Sequence, residues 1–331
     1  MIERPQWTSK PDLASRRFGG TVMWATDELF AEKENLINGW APTHRPETFG
    51  PRGQLYDGWE TRRRREAGDD MAIVRLGLPG RVSGVIVDTA FFKGNYPPYI
   101  SVEACAVDGY PSPGELTDWE PIVARSAVNG DQENFFPVAN AKRYTHVRLT
   151  MYPDGGVARL RVHGTPIADP RQVDFDALDL AALENGASIT GCSNMFYSSP
   201  NNLLAPGLAA NQAEGWETSR RRGDGNDWVT LKLAGAGTIR FAELDTTHLK
   251  GNAPGWASLS GSADGGERWF ELLPRTRLQP DTRHRFALLD SPEVTDARLD
   301  IYPDGGLARL RLWGGLTESG RATVKHRFEH S

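Results

Sequence analysis

Cysteine is scarce: the 331-residue chain has two, Cys105 and Cys192. Two thiols make neither a disulfide framework nor a four-thiolate zinc site. Long apolar runs are missing as well, and nothing approaches the roughly 18 residues of a spanning helix. Met1–Lys10 has no apolar segment of the secretory kind. A cytoplasmic protein without a membrane partner is expected. Positive charge is not in excess. The 38 Lys and Arg face 43 Asp and Glu, for a net charge of −5, whereas nucleic-acid-binding proteins are usually basic. No nucleic-acid partner is expected. The chain has no HExxH, no G-x-S-x-G elbow and no P-loop. Of its seven histidines only His326 and His330 lie close together, in a tail expected to lack structure. No cofactor is predicted; a divalent metal stays possible but is not indicated.

Glycine (35) and proline (22) are frequent but scattered, which is punctuation between short elements rather than low complexity. The length suggests about two domains. A repeat supports this. Gly58–Val102 aligns without a gap with Gly215–Leu259 at an offset of 157, with 18 identities in 45 positions. Tyr152–Gly164 aligns with Tyr302–Gly314 at an offset of 150, with 10 identities in 13. The first copy therefore carries seven extra residues between the blocks. Upstream, Val22–Leu36 loosely echoes Ile189–Leu203. The expected division is residues 1–166, a linker at 167–185, and residues 186–331. Within the linker, Asp174–Leu183 reads as a short helix with Phe175, Leu178 and Ala182 on one face.

Inside each copy the signals are β. Thr21–Trp24, Val82–Asp88, His146–Met151 and Val157–Val162 read as strands. Tyr152-Pro153-Asp154-Gly155-Gly156 reads as a hairpin turn, closed by the Asp side chain. After it Ala158, Leu160 and Val162 alternate with Arg159 and Arg161, as Ala308, Leu310 and Leu312 do with Arg309 and Arg311, which predicts a half-buried strand with a cationic face. The fold class is all-β, with a sandwich or jelly roll per copy.

Three constellations could carry chemistry. Asp88-Thr89 leads to Lys93-Gly94-Asn95 and Pro97, repeated as Asp245-Thr246-Thr247-His248 leading to Lys250-Gly251-Asn252 and Pro254. A polar loop leaving an apolar strand is where sites sit, though Asp-Thr closing the strand and Gly-Asn making a turn explain it equally. Gly58-Trp59-Glu60-Thr61 precedes Arg62–Arg65, and its copy precedes Arg220–Arg222. Arginine forms forked pairs with carboxylates, and alternation would send Arg63 and Arg65 to one face and Arg62 and Arg64 to the other. The alternative is a solvated strand edge. Trp59 and Trp216 are expected to pack. In the third constellation Asp154 and Asp304 are expected as turn-formers, while Arg159, Arg161, Arg309 and Arg311 stay candidates for substrate or salt contacts.

These duplicated blocks, covering roughly residues 18–315, resemble the allantoicase (allantoate amidinohydrolase) family. The resemblance implies two tandem jelly-roll domains of galactose-binding-like fold. It also implies a hydrolase acting on C–N bonds in linear amidines, which converts allantoate and water to ureidoglycolate and urea in purine (allantoin) breakdown. His248 matches the family's Asp-Thr-x-His pattern, with Leu249 where Phe is usual; the first copy has Phe91-Phe92 there. Such a site needs a cation for the carboxylate, amide partners for the urea groups, an acid and a base. The expected carboxylate binders are Arg63, Arg65, Arg220, Arg222, Lys93 and Lys250; Asn95 and Asn252 hold urea groups. Glu217, Asp245 and His248 are acid–base candidates in the second copy, and Glu60 and Asp88 in the first. A homo-oligomer is possible. The rivals are a tandem sandwich that binds an acidic or sugar ligand without turnover, and a related ureidoglycolate-cleaving enzyme.

Overall fold

One strand of 19 residues organises each half of the chain, Asp70–Asp88 in the first and Asp227–Asp245 in the second. The computed structural model describes residues 4–51, 53–288 and 291–331. Each long strand belongs to two layers. Residues 70–75 pair antiparallel with 146–151, and residues 84–88 with 133–137. The second copy pairs 227–232 with 296–301, and 241–245 with 283–287. The register breaks between Arg75 and Gly80, and between Lys232 and Gly237, at the glycine-rich middle of each strand. Such irregularities let a strand bend from one sheet into the next. Gly77 sits so close to the preceding segment that a Cβ would lie 2.2 Å from the Phe18 carbonyl oxygen.

Around this spine the first half orders its main sheet as Thr21–Ala25, Asp70–Asp88, Arg143–Tyr152, Tyr99–Cys105 and Glu120–Ala127. Arg159–Pro166 joins on the other part of the long strand. The second half repeats the plan with Ser188–Cys192, Glu293–Tyr302, Trp256–Ser262, Phe270–Arg277 and Arg309–Leu316. The architecture is all-β: two tandem homologous β-sandwiches. Inward residues such as Val74, Val85, Val147, Leu149 and Leu160, and Leu231, Leu244, Leu299, Ile301 and Leu310 in the second copy, are buried and form the two cores. By its internal packing the chain divides into compact units between Thr165 and Pro166. The seven extra residues of the first copy lie between Tyr99–Cys105 and Glu120–Ala127, in a loop that holds the short turn Pro113–Glu115. Among the described residues no helix is long and apolar enough to cross a membrane.

Five local expectations are corrected. Asp174–Leu183 is not a helix: Leu178–Asp179 is a short strand on Trp313 and Gly314, and Phe175 is 58% exposed. Asp179 explains this, because its carboxylate accepts from the Ala181 and Leu312 N–H groups and pairs with Arg311. Asp12 does the same for Ala14, Val162 and Arg161, so the segment opens the second copy. Val157–Val162 is not one strand: Gly156–Val157 pairs with Trp59–Glu60, and a new strand starts at Arg159. The Tyr152–Gly156 turn therefore joins different sheets, and Asp154 closes it by accepting from the Arg64 N–H at 2.7 Å rather than from its own turn. The face of Arg159 and Arg161 is not open to solvent, because the preceding loop covers it. Arg159 is fully buried and donates to the carbonyls of Trp40 and Asp57 and to the Asp57 carboxylate. Arg309 and Arg311 likewise hold the Ala205, Gly207 and Glu214 carbonyls. The C-terminal tail is a helix, Glu318–Glu329, capped by Thr317, and the rings of His326 and His330 stack there at 4.1 Å.

Candidate active site

The three repeated blocks meet at one place in each unit. Trp59–Glu60 lies antiparallel to Gly156–Val157, and the Gly156 N–H donates 2.8 Å to the Asn95 carbonyl. The Asn95 side-chain amide then donates 2.5 Å to Glu60 Oε1. The second unit repeats every contact. Trp216–Glu217 lies on Gly306–Leu307, the Gly306 N–H donates to the Asn252 carbonyl at 3.1 Å, and the Asn252 amide donates to Glu217 Oε1. Sequence reasoning placed these glutamates and asparagines in separate constellations; the fold makes them one. Their backbone is fixed from behind. Trp59 and Trp216 are fully buried, and their ring N–H groups donate to the carbonyls of Asp27 and Asn194 at 2.7 and 2.8 Å. Asp27 also pairs with Arg62 at 2.8 Å, whereas Asn194 donates to Ser219 at 2.8 Å, so the exchange of Arg62 for Ser219 is matched by its partner.

The two glutamates differ. Burial pushes the Glu60 carboxyl above its ordinary value, and the Asn95 N–H pulls it partly back. Glu217 has a second donor, Gln212 Nε2 at 2.9 Å on Oε2. Gln212 carries no repeated signature and was missed from the sequence.

The remaining expected residues stand as follows. Asp88 and Asp245 are buried at the ends of the long strands. Asp88 Oδ1 accepts from the Ala90 N–H at 2.9 Å, and Asp245 Oδ1 from the Thr247 N–H at 2.8 Å. Burial raises the Asp88 carboxyl, opposed by the Ala90 N–H and by the charges of Arg161 and Arg159. Lys93 is 77% exposed and 3.7 Å from Asp131; Lys250 is exposed. The arginine run splits by alternation. Arg64 and Arg221 turn in to Asp70 and Asp227 at 2.6 and 2.5 Å, while Arg63, Arg65, Arg220 and Arg222 stay exposed. Arg62 departs from the expected alternation, since it is held by Asp27. His248 has a left-handed backbone (φ 70°), its N–H donates 2.7 Å to Asp281, and its Nε2 lies 3.0 Å from the Ala209 carbonyl. Ala209 and Gln212 share one loop, which thus touches both His248 and Glu217. Among the described residues no group of three or more His, Cys, Asp and Glu side chains is placed to hold a metal ion.

Fold and site together define a class: a duplicated β-sandwich protein with a half-buried Glu–Asn pair in each copy. The family model described as Allantoicase repeat matches residues 11–167 and 178–317. A probable allantoicase of Nocardia farcinica is 58% identical over 316 residues, covering 94% of this chain and 95% of the relative. One from Streptomyces avermitilis is 47% identical over 338 residues, covering 98% and 90%. The crystal structure of allantoicase from Saccharomyces cerevisiae is 35% identical, covers 92% of each chain and superposes with a TM-score of 0.79. The chain belongs to the allantoicase family, and it is a hydrolase.

Proposed function

We propose that the Glu60–Asn95 and Glu217–Asn252 pairs are the centres at which the chain converts allantoate and water to ureidoglycolate and urea. The reaction comes with the family; the assignment to these residues rests on the convergence of all three repeated blocks upon each pair. Allantoate carries a carboxylate and two urea groups on one carbon. Hydrolysis breaks the bond from that carbon to one urea nitrogen and makes a bond to the water oxygen. One water proton is taken up, and the departing nitrogen is protonated. A carboxylate that already accepts from an amide N–H is placed to accept the water proton, and the asparagine amide matches a urea N–H and C=O. His248 is the proton donor to the leaving urea in the second unit. The exposed Arg63, Arg65, Arg220 and Arg222, with Lys93 and Lys250, supply cations for the substrate carboxylate. Asp88 and Asp245 shape the loop that carries Lys and Asn. Cys105 and Cys192 are free thiols, which agrees with work in the reducing cytoplasm.

The test is urea release by purified protein, run with and without a chelator. Glu60→Gln combined with Glu217→Gln is expected to lower kcat by about 100-fold or more with the fold intact. An unchanged kcat removes the assignment.

A further inference from the structure

The second unit has an imidazole, His248, on the loop that leads to Asn252, held by the same 209–212 segment that donates to Glu217, and the first has Phe91 at the matching position. Phe91 and His248 share the same left-handed backbone, φ 70° in each. Their N–H groups donate at 2.7 Å to matching carboxylates, Asp131 and Asp281. The first unit nevertheless has a histidine at this spot, and it comes from another element. The His44 ring lies nearly parallel to the Phe91 ring, with centroids 5.3 Å apart at 20°. Tyr56 stacks on His44 at 6.1 Å and on Phe92 at 5.1 Å. Phe92 in turn presses on the backbone that carries the glutamate: a Cβ on Gly156, the register partner of Glu60, would lie 2.1 Å from its ring. Leu249 fills the same place on Gly306 in the second unit.

His44 is exposed yet anchored. The neighbouring Thr43 donates through its N–H and hydroxyl to Asp57 Oδ2, and Asp57 Oδ1 receives the buried Arg159. The loop that carries it is an expansion. Asn35 and Asn202 each donate to the glycine that opens the Trp-Glu strand, across 23 residues in the first unit and 13 in the second. The matching shorter loop of the second unit is the one that touches His248 through Ala209.

We propose that His44 is the first unit's counterpart of His248, so that each unit holds a glutamate, an asparagine and an imidazole and hydrolyses allantoate on its own. This rests on the reading of the Glu–Asn pairs given above. The test isolates one unit at a time. Glu217→Gln is expected to leave roughly half of the urea-forming rate, as independent sites add. On that background His44→Phe keeps a flat ring against Phe91 but removes the titrating nitrogens. It is expected to lower the remaining kcat by about 100-fold and to erase the imidazole limb of its pH profile. In the reciprocal arm, His248→Phe is expected to do the same on Glu60→Gln. His44→Gln gives the same readout should the Phe variant fail to fold. A remaining rate indifferent to His44 overturns the proposal, and so does a Glu217→Gln enzyme with no rate left. Full activity of the Glu60→Gln/Glu217→Gln protein instead removes the Glu–Asn reading, and this inference falls with it.

Discussion

At the scale of single residues, arginine divides into two kinds of work. Arg159 is fully buried with its guanidinium spent on three carbonyls, of Trp40, Asp57 and Ala158, and on the Asp57 carboxylate. Removing one partner of a buried pair leaves the other desolvated and alone. Arg159→Met is expected to destabilise the fold by about 3–5 kcal/mol in urea denaturation, mainly through the uncompensated Asp57. His146 makes a second case. It is buried, its Nδ1 lies 2.8 Å from the Thr145 hydroxyl, and its Nε2 has no partner. Arg75 and Cys105 stand opposite it on the neighbouring strands. Burial, aided by the Arg75 charge, lowers its pKa from 6.5 to about 4. The folded value lies below the unfolded one, so its stability contribution is full above 6.5 and is lost as pH falls towards 4. His146→Gln should flatten the fall of Tm over that window relative to the parent. Glu60 has the opposite sign. Its folded value is raised, so stability declines as pH rises through the carboxyl range. Glu60→Gln should therefore gain in Tm over the parent as pH goes from acid to neutral, even as turnover falls. Repetition made Glu60 and Asn95 visible in the sequence. It gave no sign of Gln212 or His44, because each stands in a loop that the two copies do not share.

Elements show where periodicity misleads. Asp174–Leu183 has helical spacing, but the Asp179 carboxylate offers its own hydrogen bonds to the chain and wins a strand instead. The Arg159–Pro166 strand alternates as a half-exposed strand should, yet its cationic face lies under a loop whose carbonyls need donors. A sequence window cannot contain a partner more than a hundred residues away. The glycines separate in the same manner. A Cβ on Gly314 would lie 1.8 Å from the Thr238 carbonyl oxygen, whereas Gly94 and Gly251 have open space around them and no left-handed backbone. Gly314→Ala is expected to cost at least about 2 kcal/mol. Gly94→Ala and Gly251→Ala should leave Tm nearly unchanged and raise KM, if the loop they occupy carries the Lys and Asn proposed to meet the substrate.

On the scale of the whole molecule, duplication is what made the fold readable. Two copies expose the strands and the shared turns, and they reduce a long chain to one problem solved twice. Each unit keeps its own core and its own Glu–Asn pair. Near the start of the second unit, Arg171–Gln172 and Asp174–Ala177 are exposed. Brief treatment with chymotrypsin is expected to cut first at Phe175 and give two fragments of similar size, read by gel and mass.

The joint behind each tryptophan has one further consequence. Asp27 meets Arg62 in one copy, and Asn194 meets Ser219 in the other. The chain thus preserves two spellings of one word, a charged and a neutral one, and neither mixes with the other. An Asn at 27 alone strands a guanidinium and a Ser at 62 alone strands a carboxylate, while both together restore a joint already proven in the same molecule. The two joints set a compatibility rule that anyone grafting one copy onto the other has to obey.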